Sequence, residues 1–148
     1  FSLFSGDDPL LVCRSIWAVM SHDTGRLVPM AGLYPDHLEF NEPAPEIEFS
    51  KIKKDFDGAE KIGEYTIRSI DMDLGGHMNN VNYIRAMLGC FSTEEIEGMD
   101  IHDIEVQYIS QSYEGETLTF MSRRSECGAY EIGAIKKDGK AAFLAKIS

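Results

Sequence analysis

Asp73 and His77 stand four residues apart, with Gly75 and Gly76 between them and Asn79 and Asn80 just beyond. A carboxylate can take a proton from water or attack a carbonyl carbon, and an imidazole can orient or polarise its partner. Two adjacent glycines let the backbone approach a ligand closely and adopt positive φ. A helix beginning at Asn79-Asn80 would offer free N–H groups that polarise a carbonyl and hold a developing oxyanion. Asp73 and His77 are therefore candidate catalytic residues, and Gly75, Gly76, Asn79 and Asn80 candidate substrate contacts. The same residues also fit a purely structural role, capping the helix and tying down the turn before it. Spacing alone does not separate the two roles.

The surrounding elements must put this segment on a loop between a strand and a helix. Residues 65–70 read as a short strand. Over 79–91, Ile84, Met87, Leu88 and Phe91 follow the i, i+3, i+4, i+7 rule of an amphipathic helix. Val81 and Tyr83 widen its apolar surface, so the helix is expected to be largely buried, and Asn79-Asn80 offers it an N-cap. Four strands follow, alternating around Ile104-Val106-Tyr108, Leu118-Phe120, Tyr130-Ile132 and Phe143-Ala145-Ile147. Lys137-Asp138-Gly139-Lys140 is a two-residue hairpin signal, and Glu114-Gly115 and Cys127-Gly128 mark the other turns. A buried helix preceded by one strand and followed by a four-strand meander implies an α+β class, an antiparallel sheet with a central helix.

Upstream the pattern differs. Residues 10–20 are nearly all apolar and read as a strand buried on both sides, bounded by Asp7-Asp8-Pro9 and Asp23-Thr24-Gly25. Residues 1–5 read as its hairpin partner. Pro35, Pro43 and Pro45 then fall close together among polar residues, so 31–55 reads as a linker with a domain boundary. The chain opens Phe1-Ser2-Leu3-Phe4, which resembles the middle of a strand, and further chain is expected before it.

Bulk properties narrow the functions. The 148 residues carry a net charge of −11, which argues against nucleic acid as the main partner. No stretch approaches the roughly 18–20 apolar residues that span a bilayer. The three cysteines, Cys13, Cys90 and Cys127, are odd in number and widely spaced. Neither zinc-ligand spacing nor a disulfide framework is present, and a reducing, cytoplasmic setting fits best. Basic residues cluster at Lys51, Lys53 and Lys54, at Arg123 and Arg124, and at Lys136, Lys137 and Lys140, and become interesting if the partner is acidic. His22, His37 and His102 read as turn or linker residues, and the methionines as packing.

Residues 65–85 read YTIRSIDMDLGGHMNNVNYIR. This stretch resembles the D-x-N-x-H-[VM]-N-N-x-x-Y segment of acyl-(acyl-carrier-protein) thioesterases of plants and bacteria, in their C-terminal hotdog domain. It is also similar to the D-x-x-G-H-[VM]-N-N-x-x-Y segment of single-hotdog acyl-CoA thioesterases. The likeness runs on through Ile104-Glu105-Val106 and Gly115. It also covers residues 14–20 and 23–27, which look like the last strand of the family's N-terminal hotdog domain. The resemblance implies a hotdog fold, a sheet wrapped round a central helix, as part of a tandem double hotdog. Residues 1–30 would be the last strands of the first domain, 31–55 the linker and 56–148 the C-terminal domain.

The implied activity is hydrolysis of fatty acyl thioesters, most directly on acyl carrier protein, with no metal or organic cofactor. Asp73 and His77 fall on the family's catalytic Asp and His. Gly75 falls where the plant enzymes have a functional Asn. Gln111 falls on their catalytic Glu, and an amide cannot act as a carboxylate base. An acyl-CoA substrate, a non-catalytic acyl-binding or assembly domain, and dehydration are the rival readings. Hotdog sheets pair edge to edge, so a homodimer or pseudo-dimer is implied.

Overall fold

A computed structural model describes residues 2–21, 23–29, 33 and 46–148. The chain divides into two compact units, Phe1–Glu48 and Phe49–Ser148. Most of the proline-containing stretch expected as a linker lies outside the described residues.

In the first unit, β1 (Ser2–Ser5) and β2 (Asp8–Val12) form the expected antiparallel hairpin, with Ser2 opposite Val12 and Leu3 opposite Leu11. The doubly buried strand over 10–20 is not found. β2 ends at Val12, and Leu10, Ile16 and Trp17 are exposed, the last at 75 %. A two-stranded ribbon has no second layer to bury such a strand, whatever its hydrophobicity. Residues 20 and 27 instead form an isolated bridge around a tight turn at Gly25.

The second unit is built on one five-stranded antiparallel sheet. Its strands are β3 (Glu60–Thr66), β4 (Ile104–Tyr108), β5 (Thr117–Arg124), β6 (Tyr130–Ile135) and β7 (Ala141–Ile147), in spatial order β3-β5-β6-β7-β4. Only β5, β6 and β7 form a meander. β4 lies at the far edge beside β7, with Val106 opposite Ala145, so the expected four-strand meander is corrected. The β6–β7 hairpin is also longer than expected. Lys136 N–H donates to the Lys140 carbonyl, closing a three-residue loop, with Gly139 at φ 81°. Glycine in that left-handed position, followed by a bulge, is a standard alternative to the two-residue turn.

Helix α1 (Asn80–Leu88) lies against one face of this sheet. It is shorter than the 79–91 expected, because Asn79 is the N-cap and Gly89 ends it, its N–H donating to the Arg85 carbonyl. Tyr83, Ala86 and Met87 pack with Phe120, Ile132, Phe143 and Ala145. Burying a side chain such as Met87 contributes about 1.5–3 kcal/mol. The apolar surface is one-sided, since Val81 is 60 % exposed. Phe91 lies past the helix end yet still packs edge-on against Tyr130. A second short helix, α2 (Thr93–Glu97), was not expected. Ser92 and Glu95 form a capping box at its start, with Glu95 N–H to Ser92 Oγ and Ser92 N–H to the Glu95 carboxylate.

The strand before the motif is Glu60–Thr66 rather than 65–70. It stops because Asp71 draws the chain into a 3-10 turn at Ser69–Asp71, its carboxylate accepting the Arg68 N–H at 2.8 Å. As an edge strand, β3 tolerates the exposed charges of Glu60, Lys61 and Glu64.

The other sheet face is covered by the segment entering the unit. Ile52 and Phe56 are buried against Leu144 and Ala141. The Phe56 ring sits over Gly133, where a Cβ would fall 2.5 Å from a ring carbon. The Arg123 guanidinium lies over the same ring, 4.6 Å from its centre, and pairs with Glu131. Gly133→Ala should cost about 1–3 kcal/mol by overpacking, measured by denaturant unfolding. The loss should disappear in a Phe56→Ala background, where the added methyl has room.

Candidate active site

The segment from Asp71 to Asn79 is a small loop tied at both ends. Residues 72 and 78 form an antiparallel bridge, and Asp73 N–H donates to the His77 carbonyl at 2.9 Å. Gly76 N–H donates to the Asp73 carbonyl, and Gly76 holds φ 76°, a conformation that favours glycine. Leu74, at the tip, is fully exposed.

This loop turns Asp73 and His77 towards each other. Asp73 Oδ1 accepts the Gly75 N–H at 2.8 Å and more loosely the His77 N–H at 3.4 Å. The same oxygen lies 3.5 Å from His77 Nδ1, and both side chains are about one-third exposed, at 37 % and 30 %. All of these contacts fall on Oδ1, and among the described residues Oδ2 makes no hydrogen bond. The pairing needs Gly75. A Cβ there would sit 2.6 Å from His77 Cε1 and 3.1 Å from Asp73 Oδ1, so any side chain at this position must displace the imidazole.

The helix start sits directly behind. Asn79 Oδ1 accepts the Val81 N–H at 3.0 Å, and the Asn79 carbonyl accepts the Asn82 N–H at 2.9 Å. Asn79 is therefore a helix cap, one of the two roles its position allowed. The Asn80 N–H has no hydrogen-bond acceptor among the described residues, and the Asn80 carbonyl accepts the Tyr108 hydroxyl. Met72, Asp73, Leu74, Gly75 and Asn79 line an open depression of about 540 Å³.

Two residues that the sequence reading passed over hold the loop in place. Asp71 is 4 % exposed. Its carboxylate takes the Tyr65 hydroxyl on both oxygens, at 2.9 and 2.8 Å. Its carbonyl accepts the Asn79 N–H and the Asn82 side chain. Burial, and secondarily the bond and charge of Asp71, push the Tyr65 hydroxyl above its ordinary pKa. The alternation Asp71-x-Asp73 was the available signal, one carboxylate turned inward and the other out.

Among the described residues, no hydrogen bond joins Gln111 to Asp73 or His77. Gln111 lies on the neighbouring loop, held by the Met78 N–H to Ser112 carbonyl bond of 2.8 Å. Its oxygen accepts the Tyr113 hydroxyl at 3.1 Å, and the Tyr113 ring meets the His77 ring edge-on at 6.2 Å between centres. Lys136 donates to the Gln111 carbonyl at 2.7 Å and pairs with Glu116 at 3.0 Å. Tyr113 and Lys136 carried no local sequence cue, because their role comes from strands distant in the chain. Among the described residues, no group of three His, Cys, Asp or Glu side chains could hold a metal ion. No helix among them is long and apolar enough to cross a membrane.

A helix laid on a five-stranded antiparallel sheet of this order, with an Asp/His loop at the helix head, is a hotdog fold. Residues 54–145 match the acyl-ACP thioesterase C-terminal domain. The chain belongs to that family. Among solved structures, an acyl-ACP thioesterase from Bacteroides thetaiotaomicron is 25 % identical with a TM-score of 0.62, the match covering 72 % of this chain and 43 % of that one. The chain thus spans less than half the length of that relative. A hypothetical protein from Staphylococcus aureus, solved in complex with CoA, is 16 % identical (TM-score 0.52), the match covering 60 % of this chain and 78 % of that one. The probable thioesterase YbaW from Escherichia coli is also 16 % identical (TM-score 0.50), with 57 % and 77 % covered. These last two share the fold. Comparison with curated proteins gave no match.

Glu116 anchors the neighbouring loop, and its charge state sets a pH dependence. Burial opposes its charged form, but hydrogen bonds from Lys136 and the Tyr113 N–H, with the Lys136 charge, outweigh burial and leave the carboxyl below its ordinary pKa of 4.5. A lowered folded-state pKa stabilises above the unfolded value and is lost as pH falls through the folded one. The Tm advantage of wild type over Glu116→Gln should be constant at neutral pH. It should vanish as pH falls from about 4.5 through the lowered pKa.

Proposed function

We propose that this chain carries the thioester-hydrolysing site of an enzyme acting on fatty acyl thioesters, with acyl carrier protein as the thiol carrier. The observation that carries the reading is the Asp73 carboxylate, held by Oδ1 against Gly75 and His77 with Oδ2 open, at the head of a capped helix. In the proposed reaction Asp73 takes a proton from water while the water oxygen bonds to the thioester carbon. The carbonyl oxygen becomes an oxyanion opposite the Asn80 N–H, and the carbon–sulfur bond then breaks, the departing thiolate taking up a proton. His77 holds Asp73 in orientation, and Gly75 and Gly76 keep the loop low enough for the substrate to approach. Direct attack by Asp73 on the carbonyl is the variant of the same site.

The carrier preference rests on family membership. Of the basic side chains noted in the sequence, those of Lys51, Lys53, Lys54 and Lys137 would offer an acidic carrier its complement despite the net negative charge, whereas Arg123 and Lys136 are engaged within the unit. Residues 1–30 are read as the end of a preceding hotdog domain, 31–55 as the linker and 56–148 as the C-terminal domain. The exposed Leu10, Ile16 and Trp17 support a missing partner layer for the first unit. Edge pairing into a homodimer or pseudo-dimer would use β3 and β4, the outer strands of the sheet. A cytoplasmic setting is read from the odd number and wide spacing of the three cysteines in the sequence. One specific observation favours a second reading, acyl-thioester binding without turnover: the amide at Gln111, where the resemblance implies a carboxylate.

Asp73→Asn should lower hydrolysis of an acyl thioester at least about 100-fold with little change in Tm, measured by release of free thiol. Near wild-type turnover in Asp73→Ala would sink the assignment, and tight acyl-thioester binding with no turnover in wild type would favour the second reading. Comparing acyl carrier protein and CoA esters of one chain length decides the carrier. Gly75→Ala should also depress kcat, by about tenfold or more, because the methyl displaces His77.

A further inference from the structure

Tyr113 touches both residues that the motif left apart. Its ring meets the His77 ring edge-on, and its hydroxyl donates to the Gln111 side-chain oxygen. Its own loop is clamped: the Tyr113 N–H donates to Glu116, Glu116 N–H returns to the Tyr113 carbonyl, and Lys136 grips both Glu116 and the Gln111 carbonyl. The Lys136 ammonium also lies 5.8 Å from the Tyr113 ring centre, within cation–π reach. Yet Tyr113 is 47 % exposed, so core packing does not account for it.

We propose that Tyr113 is a positioning residue of this site, fixing the His77 ring by its edge contact and holding Gln111 by its oxygen so that the amide N–H2 is the group Gln111 offers. The inference rests on the thioesterase reading above and adds a role for Gln111. An amide whose oxygen is engaged is a donor, suited to a carbonyl oxygen of the substrate, and is not a stand-in for a carboxylate base. Lys136 is thereby a support of the loop, working through Gln111 and Glu116.

The test uses the whole chain with Tyr113→Phe, Tyr113→Leu, Gln111→Glu and Asp73→Asn. Tyr113→Phe removes only the hydrogen bond and should lower kcat about fivefold. Tyr113→Leu removes the ring contact as well and should lower kcat about 30-fold. KM should stay within about twofold in both, and Tm should not move, since the side chain is half-exposed. Gln111→Glu should lower kcat, because it replaces a donor with an acceptor. A second readout does not depend on turnover: side-chain NMR should show the His77 imidazole signals moving in Tyr113→Leu but not in Tyr113→Phe, and the Gln111 amide signals moving in both. Wild-type kcat in Tyr113→Leu beside an inactive Asp73→Asn would overturn the inference and leave the thioesterase reading standing. So would a rate gain in Gln111→Glu, or unmoved His77 and Gln111 signals. Full activity in Asp73→Asn would instead overturn the Asp73-centred site on which the thioesterase reading rests, with the NMR arm still deciding what Tyr113 holds.

Discussion

A charged side chain away from water is costly unless its polar atoms are met, and Asp71 is nearly inaccessible. The Tyr65 hydroxyl from β3 and the Arg68 N–H satisfy its carboxylate, while its carbonyl takes two donors from the start of α1. One residue therefore joins the edge strand, the 3-10 turn and the helix. Removing it would leave Tyr65 without its acceptor and the loop without its hinge. Asp73, two positions on, is exposed and takes no part in this joint.

The rigidity of that joint depends on where α1 lies. Met87 and Tyr83 are locked into the sheet by Phe120, Phe143 and Ala145, and the Tyr83 ring stacks on Phe143. Burial pushes the Tyr83 hydroxyl above its ordinary pKa, as expected for a phenol inside a core. The helix head, and the loop in front of it, thus take their position from a packed face as well as from the bonds made by Asp71. The opposite face of the sheet is covered by a separate cluster around Ile52 and Phe56, with Ala141 and Leu144 of β7.

The sequence disclosed the helix and its N-cap because both are local: a 3.6-residue period and an asparagine at the right place. Each of the strands after the helix was visible by its alternation. Their order was not, since no local cue says that β4 crosses to pair with β7. Residues 10–20 misled because hydrophobicity reports a wish for burial and not the presence of a covering layer. The Ser92 and Glu95 capping box is equally local, a serine followed three residues later by a glutamate. In the site, the Asp73, His77 and Gly75 grouping was legible as a motif, while Tyr113, Lys136 and the inward turn of Asp71 depend on contacts made only once the chain has folded.

Gly75 couples two positions that a list of site residues would treat as independent. Because a side chain there collides with His77, the identity of residue 75 and the placement of the imidazole cannot drift separately. A lineage moving from this glycine to a larger residue must relocate the imidazole before that change or together with it. The order in which such changes can accumulate is therefore constrained. Descendants of this site are channelled towards keeping the glycine and altering the residues around it.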